Sequence, residues 1–355
     1  MPPESRVPGP RRSRRPANAS AAGLKDVAQA AGVSTATVSR VINGSAAVSD
    51  DVRARVQEAR ARLGYIPNGV ARALSSRQTR TIGAVVPTIE NDGFARTVVT
   101  LQKALQRAGW TLLLANSDYD PDIELQAVMR LLSQGIDGLM LIGGEHHPHL
   151  LAHLQAKKIP FVEAWTLSPD AASVGFDNVR AAEELTDYLL DLGHHRIAIV
   201  AGRVEHNDRA AARVLGIRQS LKKRGLTVHA EWLTQQPYRI LEGIMAARDL
   251  LADPASSPSA IICGNDQLAL GVLVEARARN IQIPSQLSVA GFGDSDYAEF
   301  LSPPLTTMHV PAEEIGNLAA SYLLRSIAGE APEHVNRVDV RLVVRATTAA
   351  AAAEQ

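Results

Sequence analysis

From Leu24 onward the apolar positions Leu24, Val27, Ala28 and Ala31 recur at three- and four-residue spacing, which predicts one buried face of a short helix. Gly32 breaks it, and Ser34 offers a side-chain oxygen to cap the next helix. That second helix runs through Val38, Val41 and Ile42 and ends near Asn43-Gly44. A third starts at Ser49-Asp50-Asp51, places Val52, Val56, Ala59 and Leu63 on one face and stops at Gly64. Beyond residue 80 the rhythm changes to short apolar runs separated by amphipathic stretches. TIGAVVP, TLLLAN, GLMLIG, PFVEAW, RIAIVAG, AIICGND and LSVAGF are seven such runs, a pattern of parallel βα repetition. With a change of composition near residues 160–180, they predict two α/β lobes. Residues 1–22 are rich in Pro, Arg, Ser and Ala without periodicity and are expected to be a disordered basic tail.

Composition narrows this picture. The chain has 355 residues, 46% of them hydrophobic and only 4% aromatic, which suits helices packed on buried parallel strands and a core of more than one domain. No apolar run reaches the length of a membrane span, and Arg11, Arg12, Arg14 and Arg15 precede no apolar segment of a secretory signal. Cys263 is alone, so no intrachain disulfide is available, and a cytoplasmic location is expected. The net charge of zero conceals two halves of opposite sign. Residues 1–80 hold 14 Lys and Arg against 5 Asp and Glu, whereas the remainder holds 23 against 32. A basic N-terminus of this kind is either a polyanion-binding segment or a solvated tail.

The second predicted helix separates these readings. Its polar residues Ser34, Thr35, Thr37, Ser39 and Arg40 flank the apolar Val38 and Val41, so one side packs and the other is open to DNA. Arg40 suits a bidentate contact to guanine. Thr35 and Ala36 suit base edges or a thymine methyl, and Ser34, Thr37 and Asn43 suit phosphates. A purely structural helix pair shares the pattern. The motifs LKDVA, AGVS, TVSRV, Asn43-Gly44 and LGYIPN before ARAL resemble the headpiece and hinge of the LacI/GalR family of transcriptional regulators. The resemblance implies that Thr35 and Ala36 set operator choice. After Tyr65-Ile66-Pro67-Asn68, the stretch GVARALSSRQTR is too short and too poor in apolar surface to hold a helix alone. In the family such a hinge becomes helical on the operator, with Leu74 as a minor-groove wedge and Ala71 beside it. Tyr65 and Asn68 complete the expected DNA-binding set.

The resemblance continues through TIGAVVPTIENDGFA, ANSDYDPDIE, VGFDN, LGHHRIAIVAG, NDQLALG and PPLTTMHVPAEEIG. It implies a core like a periplasmic binding protein, with two parallel-sheet lobes and a small-molecule effector between them. Loops at the carboxyl ends of the strands should line that site. Phe94 and Phe176 are candidates to pack a sugar face, Tyr238 falls where the family often places an aromatic platform, and Asn265, Asp266 and Asp118 are candidates for hydroxyls. Arg213 precedes Gly216 by three residues, where the family usually places an effector-gripping arginine, and Arg209 lies one turn earlier. Trp165 stands where relatives often carry an acid, and Gly293 where many have Asp, while Glu163 appears nearby. VEAW with VGFDN resembles the gluconate-repressor branch. Two arginines and fewer acids suit a sugar acid, with a neutral sugar or nucleoside as the alternative.

The expected organisation is a tail over 1–22, a small all-α helix-turn-helix headpiece over 23–67, a hinge over 68–80, an α/β core over 81–345 and a C-terminal tail over 346–355. Expected partners are double-stranded operator DNA, the effector and a second copy of the chain in a homodimer, with no membrane. No cofactor and no catalytic residue is expected. His146, His147, His149 and His153 are crowded like a metal cluster, but the His-Pro step and the absent second carboxylate pair argue against metal. Cys263 in AIIC reads as a buried, inert thiol.

Overall fold

The structure, a computed structural model, describes residues 22–42, 48–66, 78–254 and 256–352. It divides into two compact units, Met1–Gln78 and Thr79–Gln355. Asn43, Asn68, Ala71 and Leu74 lie outside the described residues, as do residues 1–21 of the tail and the hinge up to residue 77.

In the first unit, α1 (Leu24–Ala31), α2 (Thr35–Ile42) and α3 (Asp50–Leu63) pack around Val27, Ala28, Ala31, Val38, Val41, Val56 and Ala59. Ser34 Oγ accepts the Thr37 N–H at 3.1 Å, capping α2. Gly32 and Gly64, at φ 65° and 59°, end α1 and α3 in the left-handed conformation that glycine adopts at least cost.

The second unit holds two six-stranded sheets. In lobe 1 the order is β11-β5-β4-β3-β1-β2, from β1 (Thr81–Val86), β2 (Thr111–Asn116), β3 (Gly138–Ile142), β4 (Phe161–Ala164), β5 (Ser173–Gly175) and β11 (Val335–Arg337), all parallel. In lobe 2 the order is β12-β10-β9-β8-β6-β7, from β6 (Ile197–Gly202), β7 (Leu233–Gln236), β8 (Ala260–Cys263), β9 (Ser288–Gly293), β10 (Thr306–His309) and β12 (Arg341–Val343). Among the described strands only β12 runs antiparallel, on β10. Helices α4 (Asp92–Arg107), α5 (Pro121–Ser133), α6 (Leu150–Lys157) and α11 (Ala312–Ile327) cover lobe 1. Helices α7 (Asn178–Asp191), α8 (Asp208–Lys223), α9 (Ile240–Leu250) and α10 (Asp266–Ala278) cover lobe 2.

Both sheets are buried on two faces, and alternate strand residues serve different layers. Ile82, Ala84 and Val86 face α4 and α11, while Val85 joins Val128 and Leu131 on the other side. The chain crosses between lobes three times, after β5, after β10 and after β11, and the apolar cluster that includes Phe176, Val310 and Val338 runs through these crossings. Residues 346–352, read from sequence as a tail, are bonded into lobe 2. Thr347 exchanges bonds with Val289, its Oγ1 also takes the Thr306 N–H at 2.8 Å, and Ala351 N–H reaches Leu192 O at 2.8 Å.

Candidate functional site

On α2, Thr35, Ala36 and Arg40 are exposed, Ser39 is half-buried on the same side, and Val38 and Val41 are buried opposite them. That division follows from the 3.6-residue period. Thr37 is half-buried, with its hydroxyl 2.9 Å from Ser34 Oγ. Tyr65 packs against the headpiece core.

In the second unit the loops at the carboxyl ends of both sheets face each other across a cavity. Its inner part is lined by Phe94, Trp165, Asn207, Arg209, Arg213, Tyr238, Asn265 and Phe292 and has a volume near 30 Å³. An ordered water needs roughly 10–15 Å³ of such space, so the inner part admits water and no sugar. The mouth, lined by Asp118, Tyr119, Arg203, His206, Asn207, Tyr238 and Arg239 among others, opens to about 430 Å³. Polar contacts hold the lobes together across it. Gly144 N–H donates to Asp208 Oδ2 at 3.1 Å, Gln267 Nε2 to Glu90 O at 3.0 Å, and Arg239 lies 3.3 Å from Glu90.

The aromatic side of the cavity is a chain of rings. Phe94 meets Trp165 edge-on at 5.1 Å, Trp165 meets Phe176 at 6.3 Å, and Phe176 stacks on Phe292 at 6.1 Å. An arginine sits at each end, Arg209 over Phe94 at 5.9 Å and Arg213 over Phe292 at 4.3 Å. Trp165 adopts a left-handed backbone (φ 69°), and its Nε1–H donates to Thr97 Oγ1 at 3.1 Å.

The two arginines differ. Arg209 is buried and bonded through Nη1 to Asp208 Oδ1 at 2.7 Å, so its charge is compensated. Arg213 donates to Gly264 O at 2.8 Å and Arg209 O at 3.3 Å, and no carboxylate among the described residues lies within ion-pair distance of it. Burial depresses its guanidinium pKa, with Arg209 adding to that effect against Tyr238, Tyr119 and Asp208. The sequence expectation of two available arginines therefore reduces to one.

Three other expected residues sit differently from their sequence placement, whereas Asp118 and Asn265 remain at the cavity. Asp266 is spent within lobe 2, taking the Ser295 N–H at 2.6 Å and the Thr307 hydroxyl at 2.6 Å, because it caps a turn beneath the site. Burial raises its pKa against those bonds. Glu163 points into lobe 1, where its Oε1 lies 3.5 Å from His146 Nε2, since alternate residues of β4 face opposite layers. Phe176 is buried in the crossing, one ring behind the cavity wall. Asp118 is exposed at the mouth. Asn265 lines the cavity while its Oδ1 caps α10 through the Leu268 N–H at 2.9 Å.

Tyr119, Asn207, Asp208 and Phe292 were not singled out from sequence. Each follows the carboxyl end of an apolar run or ends one, and that position was the available signal. The histidines form no metal site among the described residues. His146 Nδ1 pairs with Glu124 at 2.9 Å inside lobe 1. Cys263 is buried, and burial pushes its thiol pKa up.

Two families match the chain in sequence. "Periplasmic binding proteins and sugar binding domain of LacI family" covers residues 79–346, and "Bacterial regulatory proteins, lacI family" covers residues 23–68. The chain belongs to the LacI family. It is a DNA-binding transcriptional repressor of that family with a ligand-binding core, and the family's members are regulators rather than enzymes. Catabolite control protein A of Priestia megaterium is 33% identical over 304 residues, 85% of this chain and 91% of the relative. The crystal structure of transcription regulator GntR from Chromobacterium violaceum aligns with TM-score 0.72 and 30% identity over 76% of this chain and 99% of that one. The Lac repressor dimer bound to operator and the anti-inducer ONPF aligns with TM-score 0.81 and 27% identity over 93% and 99%. No helix among the described residues is long and apolar enough to cross a membrane.

Proposed function

We propose that this LacI-family repressor responds to a sugar acid of gluconate type bound between the lobes, and that it acts as a homodimer on double-stranded operator DNA in the cytoplasm. The observation that carries the ligand class is Arg213, a guanidinium in the cavity wall with two donors fixed on carbonyls and no carboxylate partner among the described residues. A cation so placed gains most from a ligand that brings an anion. The likeness to a GntR structure supports the same reading. The compensated Arg209–Asp208 pair, with Asn207 and Asn265, also suits neutral hydroxyls, which keeps a neutral sugar as the second reading.

On the DNA side, Thr35, Ala36 and Arg40 are assigned to base edges and Ser34, Thr37 and Ser39 to phosphates, with Tyr65 as support. The half-site partner comes from a second copy. Leu241 and Met245, one turn apart on α9, and Val274 on α10, which packs beside it, are exposed and supply apolar surface for that copy. Calorimetric titration of gluconate, 2-ketogluconate and glucose, paired with gel shifts on genomic fragments, tests the assignment. Acid binding that releases DNA is expected. Binding of neutral sugars alone overturns the ligand class, and the absence of any selective shift overturns the DNA assignment.

A further inference from the structure

Two tyrosine hydroxyls from opposite lobes are buried at the cavity without a hydrogen-bond partner among the described residues: Tyr119, in the loop after β2 of lobe 1, and Tyr238, in the loop after β7 of lobe 2. Their rings lie 6.5 Å apart, inclined by 53°. Buried hydroxyls in folded proteins are almost always paired, so two orphans flanking one cavity mark a place where a partner is supplied from outside the chain. Neither is an accident of loose packing. Tyr238 lies over Gly202 and Gly264, where any added Cβ at Gly202 would collide with the ring. Tyr119 is held at φ 62° directly after Asp118 at φ 51°, two successive non-glycine residues in the left-handed region. Backbone bonds from Asp118 N–H to Pro87 O and from Asp120 N–H to Ser117 O, both 2.9 Å, hold the loop in that shape.

The mouth beside the hydroxyls carries both charges, with Glu90 paired to Arg239 and Asp118 and Glu205 on its rim, whereas the arginines lie on the inner side. Arg213 and Arg209 line the adjoining inner part of the cavity, and the Asp208 carboxylate is occupied by Arg209 and Gly144. We propose that Tyr119 is a specificity-determining residue, whose hydroxyl and that of Tyr238 donate to the carboxylate of the effector while Arg213 compensates its charge, so that the anion bridges the two lobes. This rests on the sugar-acid reading above and adds how the acid is distinguished and what it does to the fold. A carboxylate offers the two hydroxyls lone pairs and charge together, whereas a neutral hydroxyl at the same place spends part of its capacity as a donor. Burial raises the Tyr119 phenol above its ordinary range, with Tyr238 adding to the shift against Arg209 and Arg213, so it remains a donor throughout the neutral range. Because the two hydroxyls belong to different lobes, the ligand makes both contacts only when the lobes are together, and it therefore favours that arrangement.

The test uses the full chain and the variants Tyr119→Phe and Tyr238→Phe, each of which keeps its ring and removes only the hydroxyl. Gluconate, 2-ketogluconate and glucose are titrated calorimetrically into each protein. Wild type is expected to bind an acid, and each variant to bind it about 10- to 100-fold more weakly, with a smaller change for glucose. The ligand-free melting temperature should not fall in either variant, since an unpaired hydroxyl is what is lost. Equal acid affinity in wild type and Tyr119→Phe overturns the bridge and leaves the sugar-acid reading standing. Wild type that binds glucose alone, or none of the three, overturns that reading and the bridge with it.

Discussion

A Cβ at Gly93 would come within 2.5 Å of Trp165 Cη2, at the point where α4 begins and the indole closes the aromatic side of the cavity. Gly93→Ala should push the ring off Thr97, cost about 1–3 kcal/mol by overpacking and appear as a lowered melting temperature with altered near-ultraviolet dichroism. His146 is another residue whose surroundings decide its behaviour. Burial alone would lower its pKa, but the hydrogen bond to Glu124 and the nearby Glu163 carboxylate prevail and raise it to about 9. A folded value above the ordinary 6.5 means that protonated His146 stabilises the fold. That contribution is complete below about pH 6.5 and is lost as pH rises through about 9, up to roughly 3 kcal/mol in all. Urea denaturation at pH 6, 7.5 and 9 should show the decline, and His146→Gln should flatten it; a wild-type stability that rises over this interval contradicts the charge pairing. Sequence could point to Arg213 and Tyr238 because their motifs resemble a family. It could not reveal that Asp208 neutralises Arg209, because neighbours i and i+1 on a helix do not ordinarily face each other, or that Glu163 turns toward His146, which depends on the layer a strand side chain faces.

At the scale of elements, the seven apolar runs became β1, β2, β3, β4, β6, β8 and β9, all with buried stretches except β2, an edge strand whose residues are half-buried or exposed. The strands without such a signal are short or half-polar. LTQQ in β7 and VNR in β11 form sheet edges, where one side meets solvent and hydrophobic periodicity fades. TTMH in β10 is buried over its threonines and Met308, yet the Thr306 hydroxyl pairs with that of Thr348 and the Thr307 hydroxyl donates to Asp266, so it does not read as apolar. The same polar chemistry holds the C-terminal segment. Deleting residues 346–355 leaves Val289, Thr306 and His194 without the partners that residues 347–349 supply. At about 1 kcal/mol for each bond, a loss of roughly 2–4 kcal/mol is expected in thermal or chemical unfolding, with the headpiece unaffected.

For the whole molecule, the opposed charges of the N-terminal 80 residues and the remainder predict that operator affinity falls steeply with salt, which a gel-shift series from 50 to 200 mM salt would measure. If α9 supplies the interface between copies, Leu241→Asp combined with Met245→Asp should convert a dimer to a monomer in sedimentation and weaken operator binding; an unchanged dimer would place the interface elsewhere. The three crossings carry a different consequence, for the order of synthesis. Lobe 1 is assembled from residues on both sides of lobe 2 in the chain, because α11 and β11 come after β10. A ribosome that has released β1 to β5 has made a sheet that lacks its edge strand β11 and the helix whose Ile315, Ala319 and Leu323 fill its core. Lobe 1 must therefore wait, incomplete and apolar on one face, until nearly the last residue has emerged, and a message truncated just after β10 would yield two unfinished lobes rather than one finished and one missing.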